Sequence, residues 1–285
     1  MIRDSGEWHL VSTNYPVAYK PADSHWPWKE SALDIRALHG GYQGRSRPRR
    51  HLTLLVECKK NNPELVEWVF FPASPRQLNY FPCVETRSAQ SHLNDPEIGV
   101  RLLQAALDLT VADEARETRG AYREYWAQQK DKTKPPRDMT KTSNDAITKA
   151  THQIALATQA VVAEEINLGE HFGRFNPGEE TLTDKHVFLP TVVTSAKLSV
   201  CEFDVADIPE SGEIPYGRAK LTPAPFLVYR MPLPPHLQRK PEPSVKEAII
   251  YGSHEIHTRM DILVVNSGEF ANFLKNIPEM MSHAL

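Results

Sequence analysis

An α/β fold, with α+β as the alternative, is what this sequence predicts: a mixed sheet with helices packed on its faces. Apolar runs of strand length occur in the first and last thirds of the chain, and an alanine-rich stretch with helical spacing lies between them. Strands, then a helix, then further strands is the order expected when helices cover a sheet. The 285 residues are enough to bury a substantial core.

The strand with the clearest pattern covers residues 51–60. Its side chains alternate between two faces, so Glu57 and Lys59 leave the same face at its C-terminal end, roughly 7 Å apart along the backbone. The opposite face is apolar. Two further strands are expected in this part of the chain, at residues 8–19 and 65–71, and the second of these is expected to lie beside the 51–60 strand.

A hairpin is predicted between an apolar run at residues 32–38 and the 51–60 strand. The connection between them, 39–50, is rich in glycine and arginine. Counting inward from this turn, Leu38 meets roughly His51, and Asp34 meets roughly residues 55–57. The hairpin therefore brings Asp34 close to the end of the second strand.

The whole chain, 1–285, is predicted to form a single domain, with residues 73–142 as an insertion of loops and helix. The apolar spacing in residues 98–113 predicts a helix, and residues 114–130, rich in Glu, Arg, Tyr and Gln, are expected to be helical too. A second, longer helix is expected to begin after Ser143 and to end near Gly169. Later strands and a short terminal helix are predicted at residues 187–194, 197–203, 225–229, 261–265 and 268–277.

Composition narrows the functional classes. The chain has 33 basic and 36 acidic residues, which argues against a protein coated in positive charge but leaves room for a local nucleic-acid cleft. Mean hydropathy is −0.46, and no apolar run approaches membrane-spanning length or forms a secretory signal. The three cysteines are far apart and form no CxxC motif, which predicts a cytoplasmic protein without structural zinc.

Two carboxylates and an ammonium group are predicted to meet at one point of the sheet. Asp34 and Glu57 offer hard oxygen ligands, and Mg²⁺ commonly takes only one or two protein carboxylates. A cation held there activates a bound water and polarises a phosphoryl oxygen. Lys59 can orient that water and offset charge on the phosphate. The alternative is a solvated Glu–Lys pair on an exposed strand.

With Asp34 followed about twenty positions later by Glu57-Cys58-Lys59 at the end of an apolar strand, the chain resembles the PD-(D/E)xK nuclease superfamily. The resemblance covers residues 7–72 and extends more loosely to the later strands. It implies a restriction-endonuclease-like fold. It also implies that Asp34, Glu57 and the backbone carbonyl of Cys58 bind Mg²⁺, with Mn²⁺ as substitute, and that Lys59 serves the nucleophilic water.

The chain departs from that family before its first strand. Many members carry a further acid on a helix there, whereas only about six residues precede the predicted approach to a strand at 7–11. Glu7 is the candidate for this acid, and loss of the helix is the alternative. Glu30, close to Asp34, is a further candidate carboxylate, with a plain surface charge as the alternative.

The turn between the two site strands contains four closely spaced arginines, which could grip phosphates or form an ordinary solvated turn. These residues are Arg45, Arg47, Arg49 and Arg50. A second motif, His254-Glu255-Ile256-His257, lacks the spacing of a zinc protease and is not expected to bind metal.

Taken together, these features predict a divalent-metal-dependent nuclease, with DNA favoured over RNA as the nucleic-acid partner. The family resemblance implies a restriction, repair or phage-defence context, and cleavage of both strands would suit a homodimer. The alternative is a restriction-like fold that has lost catalysis and serves as a binding or scaffold subunit for a partner.

Overall fold

The computed structural model describes most of the predicted elements of the chain. The described residues are 8–19, 29–39, 50–61, 66–82, 84–87, 98–99, 102–118, 145–175, 185–203, 220–234, 237 and 259–280. Within them the chain forms twelve strands and two helices. The strands are β1 (Trp8–Tyr19), β2 (Lys29–His39), β3 (Arg50–Lys59), β4 (Glu67–Pro82), β5 (Val84–Arg87), β6 (Ile98–Gly99), β7 (Leu102–Thr118), β8 (Lys185–Thr194), β9 (Lys197–Glu202), β10 (Lys220–Pro223), β11 (Phe226–Pro232) and β12 (Arg259–Asn266), and the helices are α1 (Asp145–Phe175) and α2 (Phe270–Met280).

The strands form one mixed sheet. Ten of them follow the order β1-β2-β3-β8-β12-β11-β7-β4-β9-β10, while β5 pairs with β8 and β6 with β5. Parallel pairs join β3 to β8 and β8 to β12, and the β1-β2-β3 segment is antiparallel. A mixed sheet with one helix on each face agrees with the predicted fold class at this coarse level. The restriction-like fold itself stays a prediction, as does the single domain over 1–285.

The sheet separates two apolar cores because alternate side chains of each strand point to opposite faces. In β3, Leu52, Leu54 and Val56 pack on the face covered by α2, and Leu55 packs under α1. Both helices supply apolar residues to their own core, and these include Ile147, Ile154 and Val161 of α1 and Phe270, Phe273 and Ile277 of α2. The alternation predicted for this strand is therefore confirmed.

The hairpin of β2 and β3 is confirmed, with a register two residues from the expected one. Leu38 pairs with Thr53 rather than with His51, and Ile35 pairs with Val56. A shift of two residues leaves every side chain on its predicted face, because the side-chain period of a strand is two. The next position along β2 is Asp34, so Asp34 lies beside the C-terminal end of β3.

The helix predicted at residues 98–113 is wrong, and so is the helical character predicted for 114–118. This segment forms β6 and β7, and β7 pairs with β4 on one side and β11 on the other. The expected helical insertion is therefore not seen in the described part of residues 73–142. Its leucines and alanines are good helix formers, but hydrogen-bonded pairing with a strand on each side overrides so weak a preference.

Two other expectations need correction. The apolar strand predicted at 65–71, of which residues 67–71 belong to β4, does not lie beside β3, since the neighbours of β3 are β2 and β8 and those of β4 are β7 and β9. The long helix α1 does not end near Gly169 but continues to Phe175. One glycine costs about 1 kcal/mol relative to alanine inside a helix, which a packed helix can absorb.

Neither helix among the described residues is long and apolar enough to cross a membrane.

Candidate active site

The structure brings together Asp34, Glu57 and Lys59, the three side chains that the sequence singled out. The backbone N–H of Cys58 donates a hydrogen bond to Asp34 Oδ2 at 2.6 Å, which ties the carboxylate of β2 to the end of β3. Lys59 Nζ donates to Glu57 Oε1 at 2.7 Å. The side chains of Glu57 and Lys59, on either side of Cys58, therefore lie on the same face of β3, as alternation along a strand requires.

A fourth residue, Gln153 of α1, belongs to this cluster. Its Oε1 accepts a hydrogen bond from Lys59 Nζ at 2.6 Å. The helix lies across β3 and β8, and its face toward the sheet carries Gln153 to the C-terminal end of β3. Sequence reasoning missed this residue because 94 positions separate it from Lys59. The sequence offered no signal for it, because α1 contains other polar residues, such as His152 and Gln159, in the same stretch.

Burial sets the electrostatics of Glu57. The residue is only 4% exposed. Burial raises the pKa of the Glu57 carboxyl, the contact with Lys59 lowers it, and the negative charge of Asp34 raises it again, with a net upward shift. Ionised Glu57 is therefore incompletely compensated by its protein neighbours. Added positive charge at this point would favour its ionised form.

Cys58 is held between these charged groups. Loss of solvation, followed by the charges of Asp34 and Glu57, raises the pKa of its thiol to about 11, although the residue reaches the protein surface. The thiol is therefore protonated near neutral pH and is a poor nucleophile. This leaves the Cys58 backbone, rather than its sulfur, as the group that can take part in the site.

A network of hydrogen bonds fixes the backbone just beyond the site. Ser195 Oγ donates to the carbonyl of Asn61 at 2.5 Å and accepts from its N–H at 2.7 Å. Asn61 Nδ2 donates to Thr194 Oγ1 at 3.0 Å. The N–H of Ser195 also donates to the carbonyl of Lys59 at 3.2 Å. The ends of β3 and β8 are thus locked together where Glu57 and Lys59 emerge.

The donor set fits a hard divalent cation. Among the described residues, no group of three or more His, Cys, Asp and Glu side chains is placed to hold a metal ion. Mg²⁺ keeps several waters and needs only one or two carboxylates, which Asp34 and Glu57 would supply together with the Cys58 carbonyl. The raised pKa of Glu57 is consistent with a carboxylate whose charge a cation would balance.

Other predicted site residues are not described. Glu7, Arg45, Arg47, Arg49 and the His254–His257 motif lie outside the described residues. Glu30 pairs with Ala18 in the β1–β2 ladder and Arg50 opens β3, but their side chains are not among those described. Their proposed roles therefore stay predictions from the sequence.

The raised pKa of Glu57 predicts a pH-dependent effect of Glu57→Gln on stability. A carboxyl with a raised pKa in the folded state binds protons more readily there than in the unfolded chain, so ionising it costs stability. The wild type should lose stability, relative to the variant, as pH rises from the ordinary Glu value of 4.5 through the raised pKa. Gln keeps an oxygen that can accept from Lys59.

Thermal unfolding of both proteins across this pH range checks the prediction. The variant should melt above the wild type near pH 7, and the difference should shrink as pH falls toward 4.5. A variant that is less stable than the wild type at pH 7, with the gap closing in acid, would mean that the Lys59 contact outweighs the cost of burial.

Comparison of this chain with family models, with curated proteins and with solved structures gives no match.

Proposed function

We propose that this protein is a divalent-metal-dependent nuclease of the PD-(D/E)xK superfamily, which hydrolyses phosphodiester bonds in the cytoplasm. The observation that supports the proposal is the convergence of Asp34, Glu57 and Lys59 at the end of β3, with contacts of 2.6 to 2.7 Å between their side chains and the adjoining backbone. The same three residues, in this order along the chain, carry the sequence resemblance.

Asp34, Glu57 and the Cys58 carbonyl would hold Mg²⁺, with Mn²⁺ as a substitute. When bound, the cation would lower the pKa of a coordinated water and polarise a phosphoryl oxygen. Both carboxylates belong to adjacent strands of a hydrogen-bonded sheet, and Asp34 is further fixed by the Cys58 N–H. A rigid carboxylate pair of this kind limits the reorganisation needed during the reaction.

Lys59 would serve the attacking water. An ammonium group has three N–H donors, and two of them are directed to Glu57 and Gln153. The third can orient a water or contact a phosphoryl oxygen. In the proposed step, the water oxygen bonds to phosphorus and gives up one proton to solvent, the bond to the opposite ester oxygen breaks, and that oxygen takes up a proton from solvent. The positive charge of Lys59 offsets the negative charge that develops at phosphorus.

The preferred substrate is DNA rather than RNA, and the four arginines at positions 45, 47, 49 and 50 would hold its backbone. This part of the proposal is drawn from the sequence, as are the phage-defence context and a homodimer or partner subunit. The hairpin puts Arg50 at the end of β3 opposite the site, seven residues or ~23 Å of strand before Glu57, so the arginines would contact the nucleic acid away from the bond that is cleaved.

A second candidate is a non-catalytic binding or scaffold subunit with the same fold. One observation favours it: each of the three side chains already has a hydrogen-bond partner within the protein, since Lys59 donates to Glu57 and Asp34 accepts from the Cys58 N–H. Such a cluster would also have a purely structural use, because it links β2 to β3 through polar contacts. Metal titration separates the two functions, because a scaffold would bind no Mg²⁺ or Mn²⁺ in a manner that depends on Asp34 and Glu57.

The function is tested by incubating the purified protein with supercoiled plasmid, linear duplex, single-stranded DNA and RNA, each with Mg²⁺, Mn²⁺ or EDTA. We expect cleavage of DNA with either metal and none with EDTA. Asp34→Ala should abolish this cleavage along with Mn²⁺ binding. Cleavage that persists in EDTA, or in the Asp34 variant, would contradict the proposed site.

A further inference from the structure

Lys59 is shared between two oxygen acceptors of different kinds. Its Nζ donates to the carboxylate of Glu57 at 2.7 Å and to the side-chain amide oxygen of Gln153 at 2.6 Å. An ammonium group only donates, so the amide of Gln153 must present its oxygen and not its nitrogen to Lys59. The acceptor in the Gln153 contact is thus a neutral group, whereas the Glu57 contact is an ion pair.

These two acceptors respond differently to a cation at the site. A divalent ion bound to Glu57 would interact with the same carboxylate that Lys59 contacts, and its positive charge would repel the ammonium group. Lys59 would then lose much of its attraction to Glu57. Gln153, which does not belong to the carboxylate pair, would keep its hydrogen bond and so keep the ammonium group within the site.

We propose that Gln153 is a positioning residue, which holds the ammonium group of Lys59 in the site when a divalent cation binds the carboxylate of Glu57. It acts through Lys59 and needs no contact with the substrate. The inference rests on the proposed metal-dependent function, and it adds a residue from a different part of the chain to the site. It also gives a reason for a neutral acceptor: a third carboxylate here would neutralise Lys59.

The placement of α1 supports this role. Glu164 lies eleven residues after Gln153, about 16 Å along the helix and on the same side of it. Tyr15 Oη donates a hydrogen bond to Glu164, and Arg36 lies 3.8 Å from the same carboxylate and 5.2 Å from the centre of the Tyr15 ring. The helix is thus attached to β1 and β2 at one point and to Lys59 at another.

The test is a double-mutant cycle read out as Mn²⁺ affinity by calorimetry. It compares wild type, Gln153→Leu, Lys59→Met and the double variant, with Thr148→Ala, an exposed position of the same helix, as the control. Gln153→Leu should weaken Mn²⁺ binding roughly 10-fold, because of its two acceptors Lys59 would keep Glu57 alone and would compete more strongly with the cation for that carboxylate. In the Lys59→Met background the same change should have little effect, because the ammonium group that Gln153 retains is gone.

Gln153→Glu is included in case Gln153→Leu does not fold, since glutamate preserves an oxygen acceptor for Lys59. It should bind Mn²⁺ at least as tightly as wild type, because a carboxylate adds negative charge near the cation. Equal Mn²⁺ affinity in wild type and Gln153→Leu would overturn the inference alone. So would an equal loss in both Lys59 backgrounds, which would show that Gln153 does not act through Lys59. Failure of the wild type to bind Mn²⁺ would overturn the proposed function as well.

Discussion

Replacing Lys59 with Met should lower the rate of DNA cleavage by a factor of about 100 or more. The aliphatic stem is kept, but the ammonium group proposed to orient water and to offset charge at phosphorus is removed, and each of these contributions typically supplies two or more orders of magnitude. Binding of Mn²⁺ should be retained, because Lys59 is not a ligand and competes with the cation for Glu57. The measurement is single-turnover cleavage of duplex DNA at saturating Mn²⁺.

Lys60 offers a matched control for this experiment. It is the adjacent residue of the same type, is exposed, and follows the end of β3. Lys60→Met should therefore leave the rate within a fewfold of wild type. Equal losses in the two variants would indicate a general effect of charge on DNA binding, and an unimpaired Lys59→Met protein would remove Lys59 from the mechanism. Circular dichroism melting establishes that each variant is folded.

Phe188→Ala should lower the free energy of unfolding by about 3–5 kcal/mol, the usual cost of truncating a buried aromatic side chain. Phe188 is fully buried in β8, in the core beneath α1, and β8 pairs with β3 along its whole length. The loss combines removed apolar contact with the cavity that the close-packed surroundings cannot fill. Urea denaturation monitored by circular dichroism measures it.

Phe71→Ala is the control of the same chemistry. Phe71 is only half-buried, and its ring lies 6.3 Å from that of Phe203. Less of its surface is removed from water on folding, so the variant should lose clearly less stability than Phe188→Ala. A Phe188 variant as stable as the Phe71 variant would contradict the core that places α1 over β3 and β8.

The candidate site could be predicted from the sequence where its parts are local. Glu57 and Lys59 share a face because side chains alternate along a strand, and this follows from two positions in one apolar run. Asp34 joins them through a hairpin, which could be predicted because the two apolar runs follow one another along the chain across a stretch rich in glycine and arginine. The error in that register was two residues, which changed the partner of Leu38 but not the face of Asp34.

The segments that were predicted wrongly depend on contacts between distant parts of the chain. Residues 102–118 contain leucines and alanines that suit a helix, yet they pair with β4 and β11 as strand β7. The position of β4 was wrong for the same reason, since a strand's own sequence does not identify its neighbours. Pairing and burial contribute more free energy than local propensity does, and both are set by the whole fold.

The sequence by itself therefore determined the strand β3, its two faces, the hairpin with Asp34 and the presence of α1. Only the tertiary structure decided the order of the strands and the contact of Gln153 with Lys59. The physical reason is the range of each interaction: side-chain periodicity is a property of neighbouring residues, whereas a hydrogen bond across 94 positions exists only after the helix has packed on the sheet.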